Sequence, residues 1–147
     1  MTRRLLAIAL VAGCTNTFAP DPAVLGDWEV TFDTLSKGSL TPNPVIVTVG
    51  LNQNGYTATI PNLIWNDPAA GGAVFDSGPG VAVQGSTLAF RLFVGPTNSE
   101  NCRWVLFGGQ LNATKDSVPA GEVNVYDPAS DTAAACFGRG SAMLVKQ

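Results

Sequence analysis

The stretch VIVTVGLNQNGYTATI, residues 45–60, decides the fold class. Val45, Val47 and Val49 alternate with Ile46 and Thr48, and Tyr56, Ala58 and Ile60 alternate with Thr57 and Thr59. A period of two sends successive side chains to opposite faces of a strand, whereas a helix needs a period of about 3.6. Between the runs stands Asn54-Gly55, a pair that accepts the positive φ angles of a tight turn. The segment is predicted to be a β-hairpin.

The alternation continues in both directions. Trp28, Val30 and Phe32 alternate with Asp27, Glu29, Thr31 and Asp33, which describes a half-buried strand. Residues 81–84 form a short strand. Leu88, Phe90, Leu92 and Val94 alternate with Ala89, Arg91 and Phe93, with Arg91 turned to water. Cys102, Trp104 and Leu106 alternate with Arg103, Val105 and Phe107, apolar on both sides as in a central or interface strand. Further strands are expected at 122–126, 132–137 and 141–146. The proline- and glycine-laden NDPAAGGAVFDSGPG, residues 66–80, reads as a loop with at most a short strand at Val74-Phe75. Residues 111–121 read as a longer loop or one helical turn, and a second such turn is expected near 129–135. The fold class is all-β: a single antiparallel β-barrel or β-sandwich of about eight strands.

At the N-terminus, Met1-Thr2-Arg3-Arg4 is followed by the uncharged LLAIALVA of residues 5–12, then Gly13 and Cys14. A positive head, an apolar core and a small-residue exit make an export signal. The apolar run is far below the roughly 20 residues that span a bilayer as a helix. Val11-Ala12-Gly13-Cys14 resembles the lipobox of bacterial lipoproteins. That resemblance implies cleavage before Cys14, a diacylglycerol thioether on its sulfur and acylation, such as palmitate, on the new amine. Thr15, in the place where Asp marks inner-membrane retention, resembles the pattern of outer-membrane cargo. The expected organisation is a signal peptide over 1–13, a lipidated N-terminus and short tether over 14–23, and an all-β domain over 24–147. About ten extended residues reach at most roughly 35 Å, so the domain would sit close to the membrane.

Under that reading the mature chain has 134 residues, enough for one domain with its own core. Losing Arg3 and Arg4 leaves six basic side chains against eleven acidic ones, a net charge of −5. Such a balance argues against nucleic acid as a partner and offers no polybasic patch for anionic lipid. With Cys14 set aside, Cys102 and Cys136 remain, and an oxidising compartment makes a disulfide between them the default. A reactive thiol or metal pair is the rival reading. The chain has no histidine, so two thiols alone would serve zinc poorly.

Gly26-x-Trp28 at the start of the first strand resembles the Gly-x-Trp element of lipocalins and related calycin barrels. The resemblance covers only these residues; the later acidic-aromatic motif of that family is not evident. It implies that Trp28 plugs one barrel end and that a late arginine, here Arg139, packs on it by a cation–π contact. The other reading makes Trp28 a simple core residue of another barrel or sandwich.

Catalytic constellations are poor. Asp27, Glu29 and Asp33 share one strand face, which reads as the wet side of an amphipathic strand rather than an acid–base pair. Asp127 and Asp131 frame a turn without a full calcium loop. A Ser-His arrangement is excluded, Ser36-Lys37 and Lys115 with Ser117 show no recognisable spacing, and the sequon at Asn112 reads as a polar loop. No enzyme, cofactor or metal is expected. Trp65, Phe93 and Phe107 are the candidate binding surface, since exposed aromatics mark interaction sites. The expected function is a membrane-anchored envelope lipoprotein that binds a protein partner or stabilises an envelope assembly. The alternatives are a periplasmic hydrolase inhibitor, with loops 66–80 and 110–121 as its tips, and a calycin-like carrier of a small apolar ligand.

Overall fold

The computed structural model describes residues 19–67, 71–94, 104–126 and 138–147. A 3₁₀ turn, Pro22–Val24, precedes ten strands: β1 (Gly26–Phe32), β2 (Ser39–Thr41), β3 (Val45–Asn52), β4 (Gly55–Thr59), β5 (Leu63–Asp67), β6 (Gly71–Gln84), β7 (Thr87–Val94), β8 (Trp104–Gln110), β9 (Ser117–Tyr126) and β10 (Gly138–Lys146). All pairings are antiparallel, and the order is β2-β5-β6-β7-β8-β9-β10-β1-β3-β4.

Two pairs of these strands are halves of longer, bent ones. Residues 42–44 interrupt β2 and β3, and residues 60–62 interrupt β4 and β5. Proline supplies no N–H to a ladder, and Pro42, Pro44 and Pro61 stand at the breaks. Counted as continuous runs, eight strands follow one another up and down, and β10 pairs with β1 through Trp28↔Lys146 and Phe32↔Ala142. β4 also lies against β6. The result is an eight-stranded antiparallel sheet that nearly closes into a barrel. Closure protects strand edges that would otherwise offer unpaired backbone groups.

The predicted hairpin at residues 45–60 is present as β3 and β4, with Asn52↔Gly55 at its turn. The alternation sorts interior from exterior. Trp28, Val30, Phe32, Val45, Val47, Val49, Leu88, Phe90, Leu92, Val105, Phe107, Val123, Val125 and Leu144 are all buried in one continuous core. Asp27 and Asp33 are exposed on the outer wall, as are Arg91 and Glu122.

Within residues 66–80, the described residues are strand rather than loop. They contribute the end of β5 and most of β6, and the pairing of β6 with β7 slips twice, between Phe75 and Ser77 and between Ser77 and Gly80. Those irregularities absorb the glycines and proline that gave the segment its loop-like composition. Residues 111–121 divide similarly: a turn ends at Asp116 and β9 begins at Ser117. The pairing of β9 with β10 shifts between Ala142 and Leu144, opposite Pro119 and Ala120. The strand expected at 132–137 and the turn near 129–135 lie outside the described residues.

Candidate functional site

The two ends of the barrel are built differently. At one end Trp28 is fully buried and its indole Nε1 donates to Val24 O at 2.9 Å, which lashes the 3₁₀ turn across the barrel mouth. Asp21 caps that turn by accepting from Ala23 N at 3.0 Å. Its other carboxylate oxygen meets Lys115 Nζ in an ion pair, and its backbone N–H donates to the Tyr56 hydroxyl at 2.5 Å. Lys146 Nζ donates to Ala23 O at 2.7 Å. The bond from Lys115, and then that from the Ala23 N–H, hold the Asp21 carboxyl below the usual carboxylate range. Side-chain bonds from Asn112 and then Thr114 lower Asp116 in the same way, within the turn that carries Lys115. This end is shut.

The register corrects one expectation here. Lys146, not Arg139, stands opposite Trp28. Arg139 pairs with Asn124 at the other end of β10. Seven residues of strand amount to roughly 23 Å, beyond the reach of any side chain. Arg139 instead lines a surface hollow of about 450 Å³ on the outer wall with Glu122, Asn124 and Ser141. Gly26 has φ +112°, a conformation that suits glycine, and Lys146 Cε lies 3.6 Å from where a Cβ would sit.

Trp65 belongs to the opposite end. It lies on β5 between Leu40 of β2 and Ala73 of β6. It is fully buried, with Leu63 on the same face. Its ring occupies a slot made by two glycines: a Cβ at Gly38 or at Gly138 would stand 2.5 Å from Trp65 Cη2. Its indole Nε1 has no hydrogen-bond partner. Farther in, Phe107 meets Phe32 edge-on at 5.2 Å between centroids and Phe90 in a tilted contact at 5.3 Å. Such pairs add to the burial of apolar area.

The candidate aromatic surface is therefore corrected. Trp65 and Phe107 are fully buried in the barrel, not on its outside. Phe107 shares the inward parity of Val105, so the register expected for β8 is off by one residue. Phe93 pairs with Trp104 in the backbone register, but its side chain lies outside the described residues. Trp104 is half-buried on the outer wall, where the Arg91 guanidinium lies 4.7 Å from its ring centroid. The large apolar side chains that do reach solvent are aliphatic: Ile46, Leu51, Ile64, Met143 and Val145. Ile46 and Val145 flank Glu29 on either side, and Met143 stands opposite Thr31.

The disulfide expectation is corrected too. No disulfide occurs among the described residues, and Cys102 and Cys136, like Cys14, lie outside them. Backbone pairing and a continuous apolar core account for the barrel without a covalent tie. Among the described residues, no group of three or more His, Cys, Asp or Glu side chains is placed to hold a metal. No described helix is long and apolar enough to cross a membrane.

Up-and-down topology, a nearly closed eight-stranded barrel, one end shut by a buried tryptophan and an aromatic cluster inside are consistent with a calycin-like barrel. Compared with protein-family models, curated proteins and solved structures, the chain matches none of them.

Proposed function

We propose that the protein is a calycin-like binding protein that takes a small apolar ligand into its barrel from the Trp65 end, without catalysing a reaction. The observation that carries this reading is the asymmetry of the ends. Trp28 is capped and its indole is hydrogen-bonded, whereas Trp65 is buried with an unsatisfied N–H and its ring clamped against Gly38 and Gly138. The interior between them is made of aliphatic and aromatic side chains, the kind that apolar ligands select. We further propose that the chain acts in the cell envelope, lipid-anchored through Cys14 and facing the periplasm or cell surface from an outer membrane. The lipobox-like Val11-Ala12-Gly13-Cys14 supports that placement.

Titration with N-phenyl-1-naphthylamine, a neutral apolar fluorophore that brightens in apolar surroundings, tests the binding. Saturable enhancement at one equivalent supports the reading, and a linear, unsaturable rise counts against it. Anchoring is tested separately by growth with labelled palmitate. The wild type should take up label and the Cys14→Ser chain should not; equal labelling would defeat the anchor.

A second reading, a docking face for an envelope protein, is favoured by Met143 and Val145 on β10 and Ile46 on β3, which flank β1 on the outer wall. Exposed aliphatic side chains are common singly and meaningful when contiguous. Co-purification of one partner with the wild type, lost on Met143→Asp, would support it.

A further inference from the structure

Among the described residues, the Trp65 indole Nε1 is the only buried side-chain nitrogen or oxygen without a hydrogen-bond partner. Buried donors are nearly always paired, so such an orphan calls for an explanation. The Trp28 indole, equally buried, donates to a backbone carbonyl. Trp65 has no freedom to turn toward one. Its ring is wedged where Cβ atoms at Gly38 and Gly138 would collide with it, and the carbonyls of Asn66 and Lys37 pack at the same two glycines. The slot holds the ring and leaves its N–H with no acceptor among the described residues.

We propose that this N–H is the polar anchor for the ligand, and that the ligand is a neutral apolar molecule carrying a carbonyl or ester oxygen. This rests on the barrel-binding reading and sharpens it. Neutrality follows from the surroundings. Among the described residues the buried side chains are hydrophobic, and the strand neighbours of Trp65 are Leu40 and Ala73. A carboxylate brought there would be buried against one neutral donor, an unfavourable arrangement for a charge. A carbonyl oxygen needs only the one N–H. The ring, held by backbone rather than by mobile side chains, offers that bond pre-organised.

Three probes of one shape separate the possibilities: 2-ethylnaphthalene without an acceptor, 2-acetylnaphthalene with a neutral one, and 2-naphthoate with a charged one. The wild type should bind the acetyl compound about ten-fold more tightly than the ethyl compound, the scale of one buried hydrogen bond. Trp65→Phe, which keeps a ring and removes the donor, should bind both alike. In the wild type labelled with ¹⁵N at its indoles, the acetyl compound should move the Trp65 indole proton downfield and leave that of Trp28 in place. This second measurement decides the matter even if Trp65→Phe does not fold. Equal binding of the two neutral probes, an unmoved Trp65 proton, or tightest binding of the naphthoate would overturn the anchor while leaving barrel binding intact. Binding of none of the three would defeat the barrel reading and the anchor with it.

Discussion

Asn43 completes the pairing of β1 where β3 has not yet begun. The register Trp28↔Val47 and Val30↔Val45 projects onto Phe32 opposite Asn43. The prolines on either side break the strand there, and the Asn43 side chain takes over: Phe32 N donates to its Oδ1 at 2.9 Å, and its Nδ2 donates to Phe32 O at 2.6 Å. An amide side chain thus imitates a strand residue. Asn43→Ala should destabilise the fold by about 1–3 kcal/mol, since two partly buried backbone groups lose their partner. Asn43→Asp, which accepts but cannot donate, should fall between. Urea unfolding measures both, and an unchanged midpoint for the alanine variant would refute the imitation. Gly138 makes a sharper demand. A Cβ there would stand 2.5 Å from Trp65 Cη2 and 2.9 Å from Lys37 O. Gly138→Ala should cost about 1–3 kcal/mol through overpacking and alter the near-ultraviolet circular dichroism of the tryptophans. Gly85 has open space around its Cα, although its φ of +59° still favours glycine. Gly85→Ala should therefore leave that aromatic signal unchanged.

Among the elements, those with an unbroken period of two were legible from sequence. β1, β3, β4 and β7 show their inward faces in sequence because Asp27, Glu29 and Thr31, Thr48, Thr57 and Thr59, and Arg91 mark the outward parity of each. β8 is ambiguous in register from sequence because Trp104, Val105, Leu106 and Phe107 are apolar on both parities. Only the cross-strand contacts of Phe107 with Phe32 and Phe90 resolve it. β6 was hidden because its irregularities are made of the residues that ordinarily make loops. Trp65 is equally ambiguous: Leu63, Ile64 and Trp65 are apolar on both parities, and only the structure shows that Ile64 is the member facing water. Its slot is not legible either, since Gly38 and Gly138 are a hundred residues apart in the chain. Nor could sequence exchange Arg139 for Lys146, because that depends on the register of β10 against β1.

The 3₁₀ turn is the element whose attachment responds to pH. Asp21 is held below the usual carboxylate range chiefly by its bond from Lys115. A carboxyl depressed in the folded state stabilises the fold at pH values above its unfolded pKa of about 3.9, and loses that contribution as pH falls through the lower folded value. Asp116 acts in the same direction. Wild-type thermal stability should therefore fall on acidification from about pH 5 to about pH 2 more steeply than that of Asp21→Asn, which lacks the titrating group. Parallel profiles for the two proteins would remove the Asp21–Lys115 pair from the account.

On the scale of the whole molecule, the barrel is a tube with one mouth sealed by Trp28, the 3₁₀ turn and Lys146, and the other centred on Trp65. A ligand carrier and a docking protein place their apolar business on opposite sides of the same wall. The most direct test is methyl-resolved NMR of the folded domain, labelled at Ile, Leu, Val and Met, during titration with N-phenyl-1-naphthylamine. The proposed function predicts saturable shifts at the inward-facing Leu40, Leu63 and Leu92, with Ile46, Met143 and Val145 unmoved. Shifts confined to Ile46, Met143 and Val145, with the inward methyl groups silent, would contradict it.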